Sequence, residues 1–223
     1  MRVSRAQAAE NRERILEVAT KLFRERGIDG IGVADLMKSA GLTHGGFYGH
    51  FKSKEDLVAQ ACSRAVAKTR ENWVKVASQV PADPLEALAS YYLSSRHRDN
   101  AGRGCAMAAL GSELARQGPD VRHAVTEELR PFIDYLSSVV QGGSAGLRRE
   151  RALALFASLV GAMVIARAVD DPVLSNEVLQ AVAETIEDKG NERNHATSRT
   201  KPRLRTAPPA KRTAKSPART TKA

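Results

Sequence analysis

The sequence GLTHGGFYGHFKSKEDL, residues 41–57, decides how the rest of the chain is organised. The side-chain oxygen of Thr43 can accept a hydrogen bond from the exposed N–H groups of a helix that opens at His44. Phe47 and Phe51 are four residues apart, so they share one face of that helix, which suits burial. The pattern predicts a turn followed by a short helix with one apolar face and one hydrogen-bonding face.

Two glycines and a capping sequence accompany this short helix. Gly45 and Gly46 fall in its first turn, where each costs about 1 kcal/mol of helix propensity relative to Ala. Close approach of the backbone to a base edge or a phosphate is one reason to retain them. Ser53 then begins a second helix in a capping-box pattern with Asp56, three residues further on.

The same stretch resembles the recognition segment of the tetracycline-repressor (TetR) family of bacterial transcription regulators, which has the form T-x-G-x-[FL]-Y-x-H-F-x-S-K-x-x-L. The positions that fit this form are Thr43, Gly45, Phe47, Tyr48, His50, Phe51, Ser53, Lys54 and Leu57. The resemblance is clear over residues 12–57 and looser over the helical remainder to Asp188. The family usually carries Thr at the start of the preceding helix, where this chain has Val33, so one side-chain oxygen is missing there.

The resemblance implies an all-α protein in which an N-terminal three-helix helix-turn-helix domain is joined to an α-helical ligand-binding and dimerisation domain. We therefore expect a DNA-binding domain over residues 9–69, with its helix-turn-helix at about 32–51. A second domain is expected over residues 70–188, followed by a disordered Lys/Arg/Pro-rich tail over 189–223. Family members are most often repressors that bind a double-stranded DNA operator as homodimers and are released by a small-molecule inducer.

Several residues in and after the short helix are candidates for contacts with DNA. We assign base reading to His44 and to the backbone around Gly45 and Gly46. Phe47 is expected to anchor the helix from inside. The candidates for phosphate contacts are Thr43, Tyr48, His50, Lys52 and Lys54. For any single His or Lys among these candidates, the alternative to a DNA contact is an ordinary solvated surface position.

The composition favours a helical globular protein whose positive charge lies mostly at one end. Hydrophobic residues make up 42% of the 223 residues and aromatic residues only 4%, and the net charge is +10. Residues 189–223 hold 11 Lys or Arg and one acidic residue. Such a tail adds salt-sensitive, sequence-independent affinity for DNA, or it only keeps the protein soluble. An architectural DNA binder driven by the tail is therefore a second class of function to consider.

The sequence offers little for catalysis, metal binding or membrane insertion. It has no P-loop, G-x-G-x-x-G, G-x-S-x-G or H-E-x-x-H motif, so we expect neither an enzyme nor a cofactor. Its five histidines do not cluster with the two cysteines at metal-ligand spacing, so no metal is expected. The cysteine content and the lack of a signal-peptide pattern favour the cytoplasm, in association with the nucleoid. The longest uncharged apolar run, 152–166, is shorter than the ~20 residues of a spanning helix.

Helical spacing of apolar residues predicts the other elements. A loose basic arm is expected over residues 1–9 and a first helix from Asn11 to Gly27. Further helices are expected over residues 33–40, 53–78, 85–99, 105–117, 120–141, 147–169 and 173–188. The last two look like the helical pair through which members of the family dimerise. Burial in a monomeric core is the alternative.

Aromatic, Met and Cys residues of the second domain are the candidates for an inducer pocket or a sensor. They are Trp73, Tyr92, Cys105, Met107 and Met163. Cys105 follows Arg103 and Gly104 at a predicted helix start, where the helix dipole and the Arg charge favour a reactive thiolate. Some members of the TetR family sense electrophiles or oxidants through a cysteine. A buried, inert thiol is the alternative.

Overall fold

The backbone folds into helices along the whole described length, as the low aromatic content and the 3.6-residue periodicity predict. A computed structural model describes the backbone of residues 4–198 and the side chains of residues 4–186. The α-helices are α1 (Arg5–Arg26), α2 (Val33–Ser39), α3 (Lys54–Gln79), α4 (Pro84–Tyr92), α5 (Ser95–Asp99), α6 (Ala106–Leu114), α7 (Pro119–Val139), α8 (Ala145–Ala168) and α9 (Pro172–Ser198). Two 3₁₀ helices lie between them, the recognition helix (His44–Gly49) and a single turn at Ala101–Arg103. The prediction of an all-α fold is confirmed.

Local capping chemistry sets the bounds of α1. Ser4 accepts a hydrogen bond from the Gln7 N–H at 3.1 Å, so the helix begins at Arg5 rather than Asn11. The predicted loose arm is therefore wrong from residue 4 onward, and residues 1–3 lie outside the described part. The C-terminal end is as predicted, because Gly27 adopts φ +81° and donates its N–H to the Phe23 carbonyl.

The N-terminal core surrounds the helix-turn-helix and extends well beyond it. Its largest buried side chains come from α1, α2, the recognition helix and α3. Residues much later in the chain also belong to it, namely Ala106, Leu110, Leu114, Val121 and Val125. Consequently α6 and the start of α7 form part of the support for the DNA-binding helices, although the sequence pattern placed them in the second domain.

A second core is built around Trp73. The rings of Tyr92 and Phe132 meet its indole edge-on, with centroids 5.4 and 5.1 Å away, a favoured aromatic geometry. Phe156 of α8 packs edge-on against Phe132 at 5.0 Å. Because α3 contributes buried residues to both cores, from Leu57 to Ala77, this one helix joins the DNA-binding region to the Trp73 core.

Three further predicted elements differ from those observed. The helix predicted over 85–99 is broken, because α4 ends at Tyr92 and Ser94 accepts a hydrogen bond from the His97 N–H to start α5. The helix α6 ends at Leu114, three residues before the predicted end. The last helix, α9, continues to Ser198, past the predicted start of the tail at residue 189. No proline interrupts that stretch before Pro202. The remainder of the predicted disordered tail, 199–223, lies outside the described residues.

Candidate nucleic-acid interface

The recognition helix is a 3₁₀ helix rather than the expected helix with a side-chain cap. Its backbone closes through i+3 hydrogen bonds, including Gly46 N–H to the Thr43 carbonyl at 3.1 Å and His50 N–H to the Phe47 carbonyl at 2.9 Å. Thr43 occupies the N-cap position with extended backbone, but its side chain forms no capping hydrogen bond with the described residues. The predicted Thr43 cap is therefore wrong, and the hydroxyl is left for other partners.

Phe47 fixes this helix to the N-terminal core. Its side chain is 0% exposed, and its ring stacks on Phe51 with centroids 5.8 Å apart. The next residue, Tyr48, is 70% exposed and touches Phe47 only edge-on, at 5.2 Å. The segment thus has a buried aromatic face and an outward one, the division that a DNA-reading helix requires.

Packing within the fold does not require glycine at Gly45 or Gly49. A Cβ atom built on Gly45 or Gly49 would meet no atom within 4 Å in the described part of the chain, and one on Gly46 would lie 3.6 Å from Met37 Cε. Lack of room in the fold therefore does not explain Gly45. The outward edge of the helix is open, so a large partner can approach the backbone closely there.

The other predicted contact residues lie around the same edge. Thr43, His44 and Lys52 are exposed, and His50 and Lys54 are half-buried. The structure thus brings all eight predicted DNA contacts to one continuous segment, from residue 43 to the first residue of α3. Their individual roles toward DNA stay predictions.

A capping network at the start of α3 holds Lys52 and Lys54 in place. Ser53 Oγ accepts a hydrogen bond from Asp56 N–H at 3.1 Å, and the Asp56 carboxylate accepts one from Lys52 N–H at 3.0 Å. The capping box is confirmed, with Lys52 rather than the cap residue donating to Asp56. The Lys52 N–H lowers the pKa of Asp56, against a smaller opposing effect of burial.

Sequence reasoning did not identify the residue that ties this network to α1. Arg12 hydrogen-bonds Gln60 of α3, and its guanidinium lies 4.9 Å from the centre of the Phe51 ring. Gln60 in turn donates to Asp56 at 2.7 Å. No motif marks Arg12, because its partners are distant in sequence and become neighbours only in the folded chain.

We expect Ser53→Ala to destabilise the protein by about 1 kcal/mol, because Asp56 N–H loses its acceptor. Urea unfolding followed by far-UV circular dichroism measures the change. Ser78→Ala is the matched control at the other end of α3, where the exposed hydroxyl bonds only the Lys75 carbonyl, and it should stay within about 0.5 kcal/mol of the wild type. Equal losses in the two variants would contradict the capping role.

The five candidates for an inducer pocket do not share one cavity. Trp73, Tyr92 and Cys105 line a cavity of about 20 Å³, which is room for about one water molecule. Met163 is fully buried in the Trp73 core, and Met107 packs between the two cores. The five candidates therefore do not line one common cavity in this conformation, because edge-to-face aromatic packing fills the space around Trp73. Their roles toward an inducer stay predictions.

A wider depression, which sequence reasoning missed, lies at the α8–α9 corner. It measures about 290 Å³ and is lined by Arg98, Asp99, Ala166, Arg167, Val169, Asp170, Asp171, Pro172 and Ser175. These residues come from two parts of the chain, and no sequence motif links them. Among the side chains of residues 4–186, no group of three or more His, Cys, Asp or Glu could hold a metal ion, and the absence of a metal remains a prediction.

The two cysteines occupy different environments. Cys62 is buried in the N-terminal core, where desolvation raises the pKa of its thiol to about 12. Cys105 is also buried, but it lines the small cavity and stands at the N-cap of α6. Its N–H donates to His97 Nε2 at 2.9 Å. Cys105 therefore adjoins a small cavity, whereas Cys62 packs among core side chains.

The recognition helix is anchored by a buried aromatic side chain, and its outer edge carries glycines with open Cβ positions. Two lysines follow at the capped start of α3. In an all-α chain, this arrangement defines the class of helix-turn-helix DNA-binding proteins. Residues 15–61 match the family described as bacterial regulatory proteins, tetR family. This match covers the DNA-binding domain, and together with similar proteins and solved structures it supports a TetR-family transcriptional regulator.

Relatives of known role agree with this family. The HTH-type transcriptional regulator AcrR of Shigella flexneri is 33% identical over 87 residues, 39% of this chain and 40% of AcrR. The match therefore spans less than half the length of AcrR. The HTH-type transcriptional repressor NemR of Escherichia coli strain K12 is 26% identical over 137 residues, 60% of this chain and 69% of NemR.

Solved structures share the fold over most of the chain. The reduced form of E. coli NemR has a TM-score of 0.67 at 23% identity and covers 80% of this chain and 96% of its own. A TetR-family regulator from Cytophaga hutchinsonii has a TM-score of 0.68 at 18% identity and covers 84% and 98%. Family members are regulators rather than enzymes.

Proposed function

We propose that this protein is a sequence-specific repressor that binds an operator as a homodimer and is released by a small-molecule inducer. The observation that carries the proposal is the outward edge of the recognition helix, where Tyr48 is exposed beside glycines with open Cβ positions. The helix is rigidly anchored through Phe47, so its hydrogen-bonding groups hold a fixed position. Fixed donors on an open edge suit the major groove of DNA.

Base contacts and phosphate contacts fall to different parts of this edge. His44 and the backbone of Gly45 and Gly46 lie at the start of the recognition helix, the end that contacts base edges in helix-turn-helix proteins. Side chains with hydroxyl or charged groups lie after this start and continue to the capped start of α3. Such groups suit contacts with the phosphate backbone. We therefore assign phosphate contacts to Thr43, Tyr48, His50, Lys52 and Lys54.

Combining Tyr48→Phe with Lys54→Ala is expected to weaken operator binding about tenfold or more and to reduce its salt dependence. Each dimer loses two cations near phosphates, so the slope of log K against log salt should fall by about 2. Fluorescence anisotropy at salt concentrations from about 50 to about 200 mM gives both quantities. The operator is first found by footprinting the promoters that neighbour the gene.

Lys75→Ala is the matched control for this experiment. Lys75 is exposed on the same helix α3, about 30 Å along the axis from Lys54 at 1.5 Å per residue. Its removal should leave the affinity and the salt slope unchanged. Unchanged binding by the double variant would show that this edge does not contact DNA.

We infer that α8 and α9 form the dimer interface. Large apolar side chains are exposed along α8 and at the start of α9, namely Leu147, Leu153, Val164, Ile165, Val173 and Leu174. Small residues lie between them, among them Ala154, Ala157 and Gly161, and permit close helix contact. By length and composition α8 could also cross a membrane. Its buried residues Leu159 and Met163 pack in the Trp73 core, which favours the exposed face as a surface for a second copy of the chain.

A tail-driven architectural binder is the second candidate function. Residues 189–223 carry 11 of the 35 basic residues of the chain and one of its 25 acidic residues, enough charge to dominate non-specific binding. Deletion of 189–223 separates the two candidates. A repressor keeps operator specificity and loses only salt-sensitive background affinity, whereas an architectural binder loses most of its affinity for any DNA. Either function places the protein in the cytoplasm with the chromosome.

A further inference from the structure

Residues 97–104, which we call the bridging segment, run from α5 to the start of α6 and are attached to α8 through the side chain of Arg167. Arg167 Nη2 donates to the His97 carbonyl at 2.7 Å, and Arg167 Nε donates to the Arg98 carbonyl at 3.0 Å. Because a planar guanidinium presents its donors in a fixed fork, this contact sets direction as well as distance. The first part of the bridging segment is therefore tied to the position of α8.

The other end of the bridging segment is attached to α1. Arg24 Nη1 donates to the Gly104 carbonyl at 2.7 Å, while Arg24 Nε donates to the Thr20 carbonyl within α1 at 2.9 Å. α1 also packs on the 3₁₀ turn Ala101–Arg103. Burial lowers the pKa of both Arg24 and Arg167, so their hydrogen bonds are partly shielded from water and are stronger for that reason.

Close packing braces the bridging segment between its two attachments. A Cβ built on Gly104 would lie 2.6 Å from His97 Nε2 and 2.9 Å from Arg167 Nη2, so a side chain there would displace the ring or the guanidinium. His97 Nε2 accepts a hydrogen bond from the Cys105 N–H at 2.9 Å, and its Nδ1 lies 2.7 Å from the Tyr92 carbonyl. The imidazole ring therefore connects the end of α4 to the start of α6 across the segment.

Each attachment leads to a surface that matters for a dimer bound to DNA. Ile165 lies two residues before Arg167 and is half-exposed on the face of α8 that we propose as the dimer interface. At the other end, α1 packs in the N-terminal core with Phe47, and the Arg12 guanidinium of α1 lies 4.9 Å from the centre of the Phe51 ring. The bridging segment thus connects the proposed dimer face to the support of the recognition helix.

A small tilt at the bridging segment is large enough to matter at the DNA. Arg12 and Arg24 are twelve residues apart in α1, which is about 18 Å at about 1.5 Å per residue. A tilt of α1 by about 10° therefore moves its Arg12 end by about 3 Å, close to the step of one base pair, about 3.4 Å. Helix-turn-helix dimers read half-sites about 34 Å apart, so a shift of this size changes which operator fits.

We propose that Arg24 and Arg167 are positioning residues that fix the separation of the two recognition helices, so that the protein selects operators of one half-site spacing. α3 and α7 also contribute to both cores, but they pack against each other. The bridging segment adds an attachment from α1 to α8 that resists tilting about this helix pair. The proposal rests on the proposed function, because half-site spacing has meaning only for a dimer that binds two half-sites.

The test compares operators whose half-site spacing differs by about two base pairs in either direction, using the full-length protein and fluorescence anisotropy. Arg167→Met and Arg24→Met should each reduce the preference for the best spacing roughly tenfold, because a wrongly spaced operator no longer strains a charge-assisted hydrogen bond. The affinity for a single half-site should stay that of the wild type. Arg167→Lys keeps the charge but lacks the planar fork, so its spacing preference should lie between those of the wild type and Arg167→Met.

Arg151→Met is the matched control. Arg151 lies near the start of α8, and its guanidinium also donates to two backbone carbonyls, those of Gln141 and Gly142. Its removal should leave the spacing preference unchanged. Far-UV circular dichroism checks that each variant folds, and Arg167→Lys decides the question if Arg167→Met does not fold.

A second measurement needs no DNA. Spin labels on Tyr48→Cys and Asp170→Cys, both at exposed positions, report the distance between the recognition helix and the α8–α9 corner by double electron–electron resonance. The two native cysteines are replaced by alanine, and the labelled chains are diluted with unlabelled protein. Arg167→Met should broaden the distance distribution, whereas Arg151→Met should leave it as in the wild type.

An unchanged spacing preference in Arg167→Met and Arg24→Met would overturn the proposal. Equal losses of affinity for full and half operators would also overturn it, because they would show lost support of the recognition helix rather than lost spacing. Wild-type protein that binds no operator, or binds full and half operators equally, contradicts the proposed function instead. The distance distributions then still decide whether Arg167 positions the recognition helix.

Discussion

Replacing Phe47 by Ala is expected to destabilise the protein by about 3–5 kcal/mol and to abolish operator binding. The Phe47 ring is wholly buried, stacks on Phe51 and joins the core that also holds α1, α3 and α6. Its removal leaves a cavity directly beneath the outward edge of the recognition helix. Urea unfolding and fluorescence anisotropy with operator DNA measure the two effects.

The adjacent Tyr48 provides the control for this variant. Tyr48 is largely exposed, so Tyr48→Ala should change the free energy of unfolding by no more than about 0.5 kcal/mol and yet weaken operator binding. The two neighbouring substitutions thus separate support of the helix from contact with DNA. A Phe47→Ala protein as stable as Tyr48→Ala would show that the ring does not anchor the helix.

The start of α3 shows how much local chemistry can predict. Ser53 and Asp56 stand three apart, and Ser53 Oγ accepts the Asp56 N–H as a capping box requires. The donor to the Asp56 carboxylate is the Lys52 N–H rather than that of the cap residue. The recognition helix was harder to predict because its glycines disfavour the α-helix without specifying the alternative. Phe47 and Phe51 pack in a core shared with helices distant in sequence, and the sequence of the segment alone does not specify that packing.

Distant packing also explains why the expected domain boundary at residues 69 and 70 does not match the cores. Leu110 and Leu114 lie 40 and 44 residues after residue 70 but pack with the helix-turn-helix. Their apolar character was evident from the sequence, whereas their partner was not. The contacts around residues 97–105 illustrate the same point, because Arg24 and Arg167 donate to the Gly104 and His97 carbonyls from distant parts of the chain.

The other large effect is expected from Ile165→Glu, which should convert the proposed dimer into monomers and weaken operator binding by roughly 100-fold or more. Ile165 is 50% exposed on the apolar face of α8, where a second copy would bury the new carboxylate without a partner. Each monomer keeps its recognition helix, so the loss comes from the avidity of two linked half-site contacts. Analytical ultracentrifugation reports the mass, and anisotropy on full and half operators reports the affinity.

Thr126→Glu introduces the same charge on an exposed position of α7, away from the apolar face, and should leave the dimer intact. Far-UV circular dichroism of both variants checks that the fold survives. For Ile165→Glu, binding to a half operator should match that of the wild type, because one half-site engages only one recognition helix. A dimer that persists in Ile165→Glu would place the interface elsewhere, and the exposed apolar face of α8 and α9 would then need another partner.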